Sequence, residues 1–352
     1  LAVKKAVENK RLKEENQFLR NQIFERYNFN NIIGENPRIL EIFYKIRKVA
    51  PADTTVLIEG ESGTGKELFA RAIHAHSRRA GRQFIAVNCS SFSASLMESE
   101  LFGHVKGAFT GAVADKAGIF EVANGGTLFL DEVANINQDV QGKLLRVMET
   151  REFKPVGASR YKSTDTRIIA ASNQNLKTLV DTERFREDLY YRLSVVPIFI
   201  LPLRERRDDI PRLAYHFLRL FCRKTGKRVS GFSDEALEML THYLWPGNVR
   251  QLKNVVERLV IMSDHDVLNF RDIFDQMQTR RRQRNGSVPE SIRALKEARQ
   301  TILNDSYLPL EKAFIEKALK TTSGNITRAA AQVGMQRPNF SVLMKKHGIG
   351  AD

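Results

Sequence analysis

The chain has 352 residues, of which 42% are hydrophobic, and its formal net charge is +15. This length is sufficient for the cores of two or three domains. Cys89 and Cys222 are the only cysteines and lack metal-ligand spacing, which excludes a disulfide framework and favours a reducing, cytoplasmic setting. The longest apolar run, 195–203, is broken by Pro197 and Pro202, so no membrane partner is expected, whereas the positive charge suggests an anionic partner such as nucleic acid.

Residues 1–27 are charged and favour an N-terminal linker helix. Leu12, Leu19 and Ile23 stand at heptad-like positions. Because the pattern covers barely three heptads, a solvated single helix and a dimer seam both fit it.

Residues 28–203 alternate strand-like and helix-like patterns, which predicts an α/β fold with a doubly wound parallel sheet. A β-branched run at 54–58 leads into a glycine-rich turn, and a helix-favouring stretch follows at 68–73. Such a turn binds phosphate, because its glycines adopt positive φ and the helix start offers free N–H groups, while a lysine reaches the β and γ phosphates. The predicted nucleoside triphosphate site comprises Gly60, Glu61, Ser62, Gly63, Thr64, Gly65, Lys66 and Glu67.

An apolar strand at 125–132 ends in two carboxylates, Asp131 and Glu132. The general phosphate-loop pattern ends in a Ser or Thr that meets Mg²⁺, but Glu67 stands in that place, so metal ligation must depend on another residue. We expect Asp131 to hold Mg²⁺ through water and Glu132 to act as the general base. Adjacent acids at a strand end are also common on surfaces, but beside a phosphate loop they indicate hydrolysis as well as binding.

The pattern becomes helical over residues 204–275, which predicts a small helical lid. Asp208 to Pro211 open one predicted helix, and Ser233 caps another. Residues 276–304 are polar, basic and turn-rich, as expected of a linker.

Helical periodicity returns in residues 305–352, where the pattern predicts a helix-turn-helix domain. Asn325 is expected to cap the first helix of the motif, Gly334 to make the turn, and Pro338 to lie in the opening turn of the last helix. The preceding helix carries an apolar stripe of Leu310, Phe314, Ile315, Ala318 and Leu319. The residues predicted to contact DNA are Arg337, Asn339, Ser341, Lys345 and Lys346. A three-helix bundle that binds protein is the alternative.

Four motifs together resemble the bacterial sigma-54-dependent transcription activators. They are Gly-Glu-Ser-Gly-Thr-Gly-Lys-Glu at 60–67, Gly-Ala-Phe-Thr-Gly-Ala at 107–112, and the signatures at 185–193 and 245–252. The resemblance extends over residues 30–265, and the C-terminus resembles the family's Fis-type DNA-binding domain. In this family the phosphate loop itself ends in glutamate, as it does here at Glu67.

The resemblance implies a branch of the AAA+ ATPases, in which hydrolysis takes place between subunits of a ring and arginines of the neighbour meet the charge on the γ-phosphate. Arg186 and Arg192 match these arginine fingers. Arg250 matches the second sensor, which couples nucleotide state to the angle of the lid, and Asn173 matches the first sensor at a strand end.

Two further positions follow from the same resemblance. Asn88 matches the asparagine that hydrogen-bonds the catalytic glutamate, here Glu132, and so holds it unproductive until a partner engages. The segment 32–34, which includes Ile33, resembles the segment that lies over the adenine.

The family's hallmark sequence occupies Gly107, Ala108, Phe109, Thr110, Gly111 and Ala112. Without the resemblance, Phe109 reads as a buried residue of a hairpin. With it, the segment is a mobile loop whose Phe109 and Thr110 contact the sigma factor when the γ-phosphate state raises the loop.

The resemblance therefore implies an ATP-hydrolysing activator that binds upstream activator DNA and remodels the sigma-54 RNA polymerase holoenzyme so that promoter DNA opens. It implies a homo-oligomeric ring, hexamer or heptamer, with a dimer as the inactive form and ATP with Mg²⁺ as cofactors. The N-terminal segment resembles the helix that follows a response-regulator receiver, as in two-component systems. A ring that remodels another protein, and an architectural or repressive DNA-binding protein without turnover, are the alternatives.

Overall fold

The computed structural model describes residues 33–269, 272–273, 292, 308–322 and 324–349. The predicted linker helix at 1–27 and nearly all of the predicted linker at 276–304 lie outside these residues. The chain divides into two units, residues 1–277 and 278–352. Within the described residues, no helix combines the length and the apolar character needed to cross a membrane.

Five parallel strands form the central sheet of the first unit, in the order β2-β5-β8-β1-β9. Two antiparallel pairs, β3 with β4 and β6 with β7, and one parallel pair, β10 with β11, accompany it. The strands are β1 (Val56–Glu59), β2 (Phe84–Asn88), β3 (Gly103–His104), β4 (Lys116–Ala117), β5 (Thr127–Asp131), β6 (Glu152–Phe153), β7 (Lys162–Ser163), β8 (Arg167–Ser172), β9 (Val196–Phe199), β10 (Gly231–Phe232) and β11 (Val267–Leu268).

Helices cover both faces of this sheet. In β5, Leu128 and Leu130 pack into one apolar cluster and Phe129 into the other, as the alternation of side chains along a strand requires. The helices of this part are α1 (Pro37–Val49), α2 (Lys66–Ala75), α3 (Ala94–Phe102), α4 (Ile119–Val122), α5 (Gln138–Thr150), α6 (Leu176–Asp181) and α7 (Glu187–Leu193). The predicted doubly wound α/β sheet is confirmed.

The lid has its own apolar core, which surrounds the fully buried Trp245. The indole Nε1 of Trp245 donates a hydrogen bond to Leu240 O at 2.7 Å. Its helices are α8 (Asp209–Thr225), α9 (Asp234–His242) and α10 (Asn248–Met262). As predicted, Ser233 caps α9 by accepting a hydrogen bond from Ala236 N.

The second unit contains α11 (Leu308–Thr321), α12 (Ile326–Gln332) and α13 (Arg337–Lys346). Asn325 caps α12 through Arg328 N, and Gly334 turns the chain at a φ of +71°. Ile315 and Ala318 join the small core, but Phe314 is 47% exposed, so this part of the predicted stripe is wrong. The side chain of Leu310 lies outside those the structure describes.

Candidate nucleotide site

The phosphate loop connects β1, which lies inside the sheet, to the start of α2. Gly63 and Gly65 adopt φ of +80° and +102°, which side chains other than glycine rarely tolerate. A Cβ on Gly63 would also lie 2.4 Å from Gly247 O. The start of α2 has no side-chain cap, so N–H groups of its first turn are available to an anion.

Lys66 extends its ammonium group across this loop. Its side chain is only 6% exposed, and Nζ donates to Gly60 O at 2.9 Å. Nζ also lies 3.9 Å from Oε1 of Glu132. Burial lowers the pKa of Lys66, while the nearby carboxylates of Glu132 and Asp131 oppose that shift. The arrangement places a buried cation where a phosphate group fits.

Asp131 ends β5, and Glu132 follows it in the left-handed region at a φ of +56°. Glu132 N donates to Oδ1 of Asp131 at 3.0 Å, and Asn173 N donates to Oε2 of Glu132 at 3.4 Å. Burial raises the pKa of both carboxyl groups, and Lys66 opposes the rise. Two carboxyl groups of raised pKa therefore lie beside the loop, an arrangement that suits Mg²⁺ binding and activation of water.

Asn88 lies opposite Asp131 in the pairing of β2 with β5. Its side-chain oxygen accepts from Ser90 N at 2.9 Å and from Ser90 Oγ at 2.6 Å. In the part of the chain that is described, the partners of the Glu132 carboxylate are Lys66 and Asn173, and a bond from Asn88 to Glu132 is not formed.

Glu67 and Glu61 of the loop are engaged elsewhere. Glu67 pairs with Arg71 at 2.7 Å on the surface of α2. Glu61 pairs with Arg204, at the start of the predicted lid. Thr64 is buried, and its hydroxyl donates to Glu61 O at 2.8 Å.

The predicted second sensor lies directly against the loop. Arg250 N donates to Gly63 O at 3.2 Å, and Nη1 lies 3.5 Å from Oγ of Ser62. Ile33, which was expected near the adenine, is half-buried and packs against the lid core. The structure thus brings Lys66, Asp131, Glu132, Asn173 and the Arg250 backbone into contacts around one loop.

The predicted arginine fingers are not part of these contacts. Arg186 precedes α7 and pairs with Asp188 at 2.7 Å, which raises its pKa. Arg192 lies in the last turn of α7 and donates to Met148 O at 3.3 Å. Both side chains are exposed.

The segment 107–112 forms the tip between β3 and β4. Gly107 N donates to Ala112 O at 2.9 Å, which closes the tip. Phe109 is 40% exposed and packs edge-on against His104, with ring centroids 5.0 Å apart. Thr110 is exposed. An aromatic side chain and a hydroxyl are therefore presented at the surface.

In the second unit, Arg337 and Asn339 are exposed on α13, Ser341 is half-buried, and the side chain of Lys345 lies outside those described. Lys346 pairs with Glu311 at 2.7 Å. Val342, which is 65% exposed on the same helix, was not among the residues that the sequence predicted to contact DNA.

Asn248 was also missed as a functional residue. It is fully buried at a φ of +51°, and its amide bonds to the phosphate loop. Its place in the 245–252 signature was the available signal, since a buried asparagine next to a turn needs hydrogen-bond partners.

Family models match most of the chain. A "Sigma-54 interaction domain" matches residues 32–199, an "AAA+ ATPase lid domain" matches 204–289, and a "Bacterial regulatory protein, Fis family" model matches 309–347.

Similar proteins include the nitrogen fixation protein AnfA of Azotobacter vinelandii, 45% identical over 97% of this chain and 62% of its own length. The transcriptional regulatory protein ZraR of Klebsiella oxytoca is 45% identical over 90% of this chain and 68% of its own length. The structure of NtrX from Brucella abortus in complex with ADP is 34% identical, covers 99% of this chain and 74% of NtrX, and has a TM-score of 0.68. The chain thus spans less than two thirds of AnfA.

Proposed function

Since the chain belongs to the family of sigma-54-dependent transcription activators, we propose that it hydrolyses ATP to remodel a sigma-54 RNA polymerase holoenzyme. The observation that carries the proposal is the approach of Lys66 to Glu132, 3.9 Å apart beside an uncapped helix start. A phosphate-binding cation and a water-activating carboxylate are both required for hydrolysis.

In this proposal the phosphate loop binds the triphosphate through backbone N–H groups and Lys66. The contact between Nζ and Gly60 O is exchanged for phosphate oxygens, because an ammonium group pairs more strongly with an anion than with a carbonyl. Mg²⁺ held through Asp131 would neutralise phosphate charge. The structure of NtrX in complex with ADP supports nucleotide binding by this chain.

Glu132 accepts the proton of the attacking water. Burial raises its pKa, which makes it a stronger base than an exposed glutamate, and the nearby Lys66 opposes that rise. Asn173 N at 3.4 Å and Lys66 Nζ at 3.9 Å hold the carboxylate only loosely, so a contact from Asn88 in another state fits this role.

Arg186 and Arg192 act on the site of an adjoining subunit in a ring, a hexamer or a heptamer that assembles from an inactive dimer. Their exposure and their contacts away from their own phosphate loop support this role. Arginine in such a position stabilises the charge that develops on the transferred phosphoryl group.

Phe109 and Thr110 contact the sigma factor, and α13 binds upstream activator DNA in the cytoplasm. The exposure of the 107–112 tip supports the first contact, and the exposed Arg337 and Asn339 support the second.

Steady-state ATPase activity measured across protein concentrations tests hydrolysis and ring assembly together. Specific activity should rise steeply with concentration, because each site is completed by a neighbour. Activity per molecule that stayed constant down to the monomer would refute the shared site. No turnover at any concentration would favour the architectural alternative.

Thr110→Ala tests the contact with the sigma factor. The variant should hydrolyse ATP but fail to form open complexes with sigma-54 polymerase on a supercoiled promoter. Thr150→Ala is the matched control, because Thr150 is also exposed but lies at the end of α5. Retained open-complex formation by Thr110→Ala would favour a ring that remodels another target.

A further inference from the structure

The carboxylate of Glu61 is held from outside the phosphate loop. Arg204 donates from Nη1 to Oε2 at 2.8 Å and from Nη2 to Oε1 at 2.5 Å. Asn248 Nδ2 donates to the same Oε2 at 3.1 Å. The pairing with Arg204 lowers the pKa of Glu61, so the group is ionised at neutral pH.

Asn248 joins three segments with one side chain. Its amide nitrogen donates to Glu61 Oε2 and to Ser62 O, both at 3.1 Å. Its amide oxygen accepts a hydrogen bond from Leu203 N at 2.7 Å. Leu203 lies in the segment 203–208 that precedes the first lid helix, α8, and we call this segment the hinge. The residue is fully buried and begins α10 at a φ of +51°, a conformation that asparagine tolerates better than most residues.

The backbone of the lid meets the loop at the same place. Arg250 N donates to Gly63 O, and the absence of a Cβ on Gly63 allows Gly247 O to approach. These contacts place the Arg250 guanidinium at Ser62, next to the first turn of α2.

We propose that Glu61, Arg204 and Asn248 form a latch that fastens the lid to the phosphate loop, and that Glu61 is a positioning residue instead of a nucleotide ligand. The inference rests on the proposed ATPase function. Both oxygens of Glu61 are occupied by donors from the hinge and the lid, and an ionised carboxylate would repel phosphate at contact distance. Through the latch, Glu61 sets the position of Arg250, the predicted second sensor, without contacting the nucleotide itself.

A double-mutant cycle on the full chain tests the latch. Glu61→Gln, Arg204→Gln and the double variant are compared in the dissociation constant of ADP. Each single change should weaken ADP binding about tenfold, the scale of one charge-assisted hydrogen bond. The double variant should be no weaker than the singles, since both remove the same ion pair. Unchanged binding in Arg204→Gln, or additive effects, would overturn the latch.

A second test exchanges the carboxylate of Glu61 and the amide of Asn248. Recovery of ADP binding in the exchanged variant is a result that general unfolding would not produce. Asn248→Asp sets a second carboxylate against Glu61 and should weaken ADP binding. Glu61→Gln combined with Asn248→Asp restores an amide–carboxylate pair, so binding should recover above that of Asn248→Asp alone. A combined variant as weak as the sum of its parts would contradict the proposal.

Two controls separate the outcomes. Glu205→Gln changes the residue next to Arg204, which pairs with Arg38 at 4.0 Å on the surface, and should leave ADP binding unchanged. Trp245, the only tryptophan in the sequence, reports by fluorescence whether the lid is folded in each variant. A wild-type chain that binds no ADP would refute the proposed function itself, whereas normal wild-type binding with unaffected latch variants would refute the latch alone.

Discussion

Replacement of His74 by glutamine should remove a pH dependence from the stability of the first unit. His74 lies in α2, the helix that begins at Lys66, and is 8% exposed. Its Nδ1 lies 2.9 Å from Oγ1 of Thr127, in the strand that ends at Asp131. Burial lowers the pKa of His74 to about 4, so the folded protein holds the ring neutral.

The direction of this pH dependence follows from the number of protons that each state binds. The unfolded chain protonates His74 near its ordinary pKa of 6.5, whereas the folded protein does so near 4. Between these values the unfolded state binds more protons, so the free energy of unfolding falls as the pH is lowered. The neutral, buried histidine contributes about 3 kcal/mol to the free energy of unfolding at neutral pH, and about 2 kcal/mol of this contribution is lost by pH 5.

Thermal and urea unfolding of the wild type and of His74→Gln, followed by circular dichroism between pH 7.5 and 5, measure this difference. The variant should be less stable at pH 7.5, and the gap should narrow by about 2 kcal/mol at pH 5, because glutamine does not titrate. Other titrating groups cancel in the comparison. A gap that stayed constant across this range would refute the neutral, buried histidine.

Three further changes test the site and the second unit. Glu132→Gln should bind ATP but release phosphate about 10²- to 10⁴-fold more slowly, and undiminished release would indicate another base. Gly63→Ala should weaken nucleotide binding in calorimetric titrations, because its Cβ would lie 2.4 Å from Gly247 O, whereas Gly81→Ala, with open space around its Cβ, should not. Ala330→Leu should destabilise the second unit by about 1–3 kcal/mol, since Ala330 is 1% exposed, and an unchanged melting curve of that unit would contradict its tight packing.

The pattern of apolar and polar residues predicted those elements whose formation depends only on residues that are close together in the sequence. The apolar strand that ends at Asp131 and the glycine turn before Lys66 both occur where the sequence placed them. The strand order β2-β5-β8-β1-β9 could not be read from the sequence, because it depends on pairing between distant segments. Phe314 was misplaced because neighbouring positions at the edge of a helical stripe differ only in what packs against them.

The site was predicted less completely than the fold. Motif spacing pointed to the loop and the carboxylates that the structure brings together, because each motif consists of residues close in sequence. Asn248 escaped this reasoning, since its partner Glu61 is 187 positions away and its role depends on an unusual backbone conformation. Glu61 was assigned to the nucleotide from its position in the loop, and only its partners in the folded chain suggest another role.

Arg206, two residues after Arg204, and Asp209, the first residue of α8, reach the phosphate loop and its surroundings at two more points. Arg206 Nη2 donates to Thr64 O at 3.2 Å, and Asp209 accepts hydrogen bonds from the backbone N–H groups of Glu35 and Asn36, next to the segment expected over the adenine.

Arg206 and Asp209 are both buried, yet Nη1 of Arg206 and Oδ2 of Asp209 remain 3.9 Å apart, and Oδ2 has no hydrogen-bond partner among the described residues. A buried pair of this kind costs more free energy than an apolar pair of the same size, so it contributes little to stability by itself. The pair instead connects two segments, because Arg206 bonds to the phosphate loop and Asp209 bonds to the backbone of residues 35 and 36. Arg206 and Asp209, at the entrance to the lid, therefore contact both the phosphate loop and the segment that precedes α1.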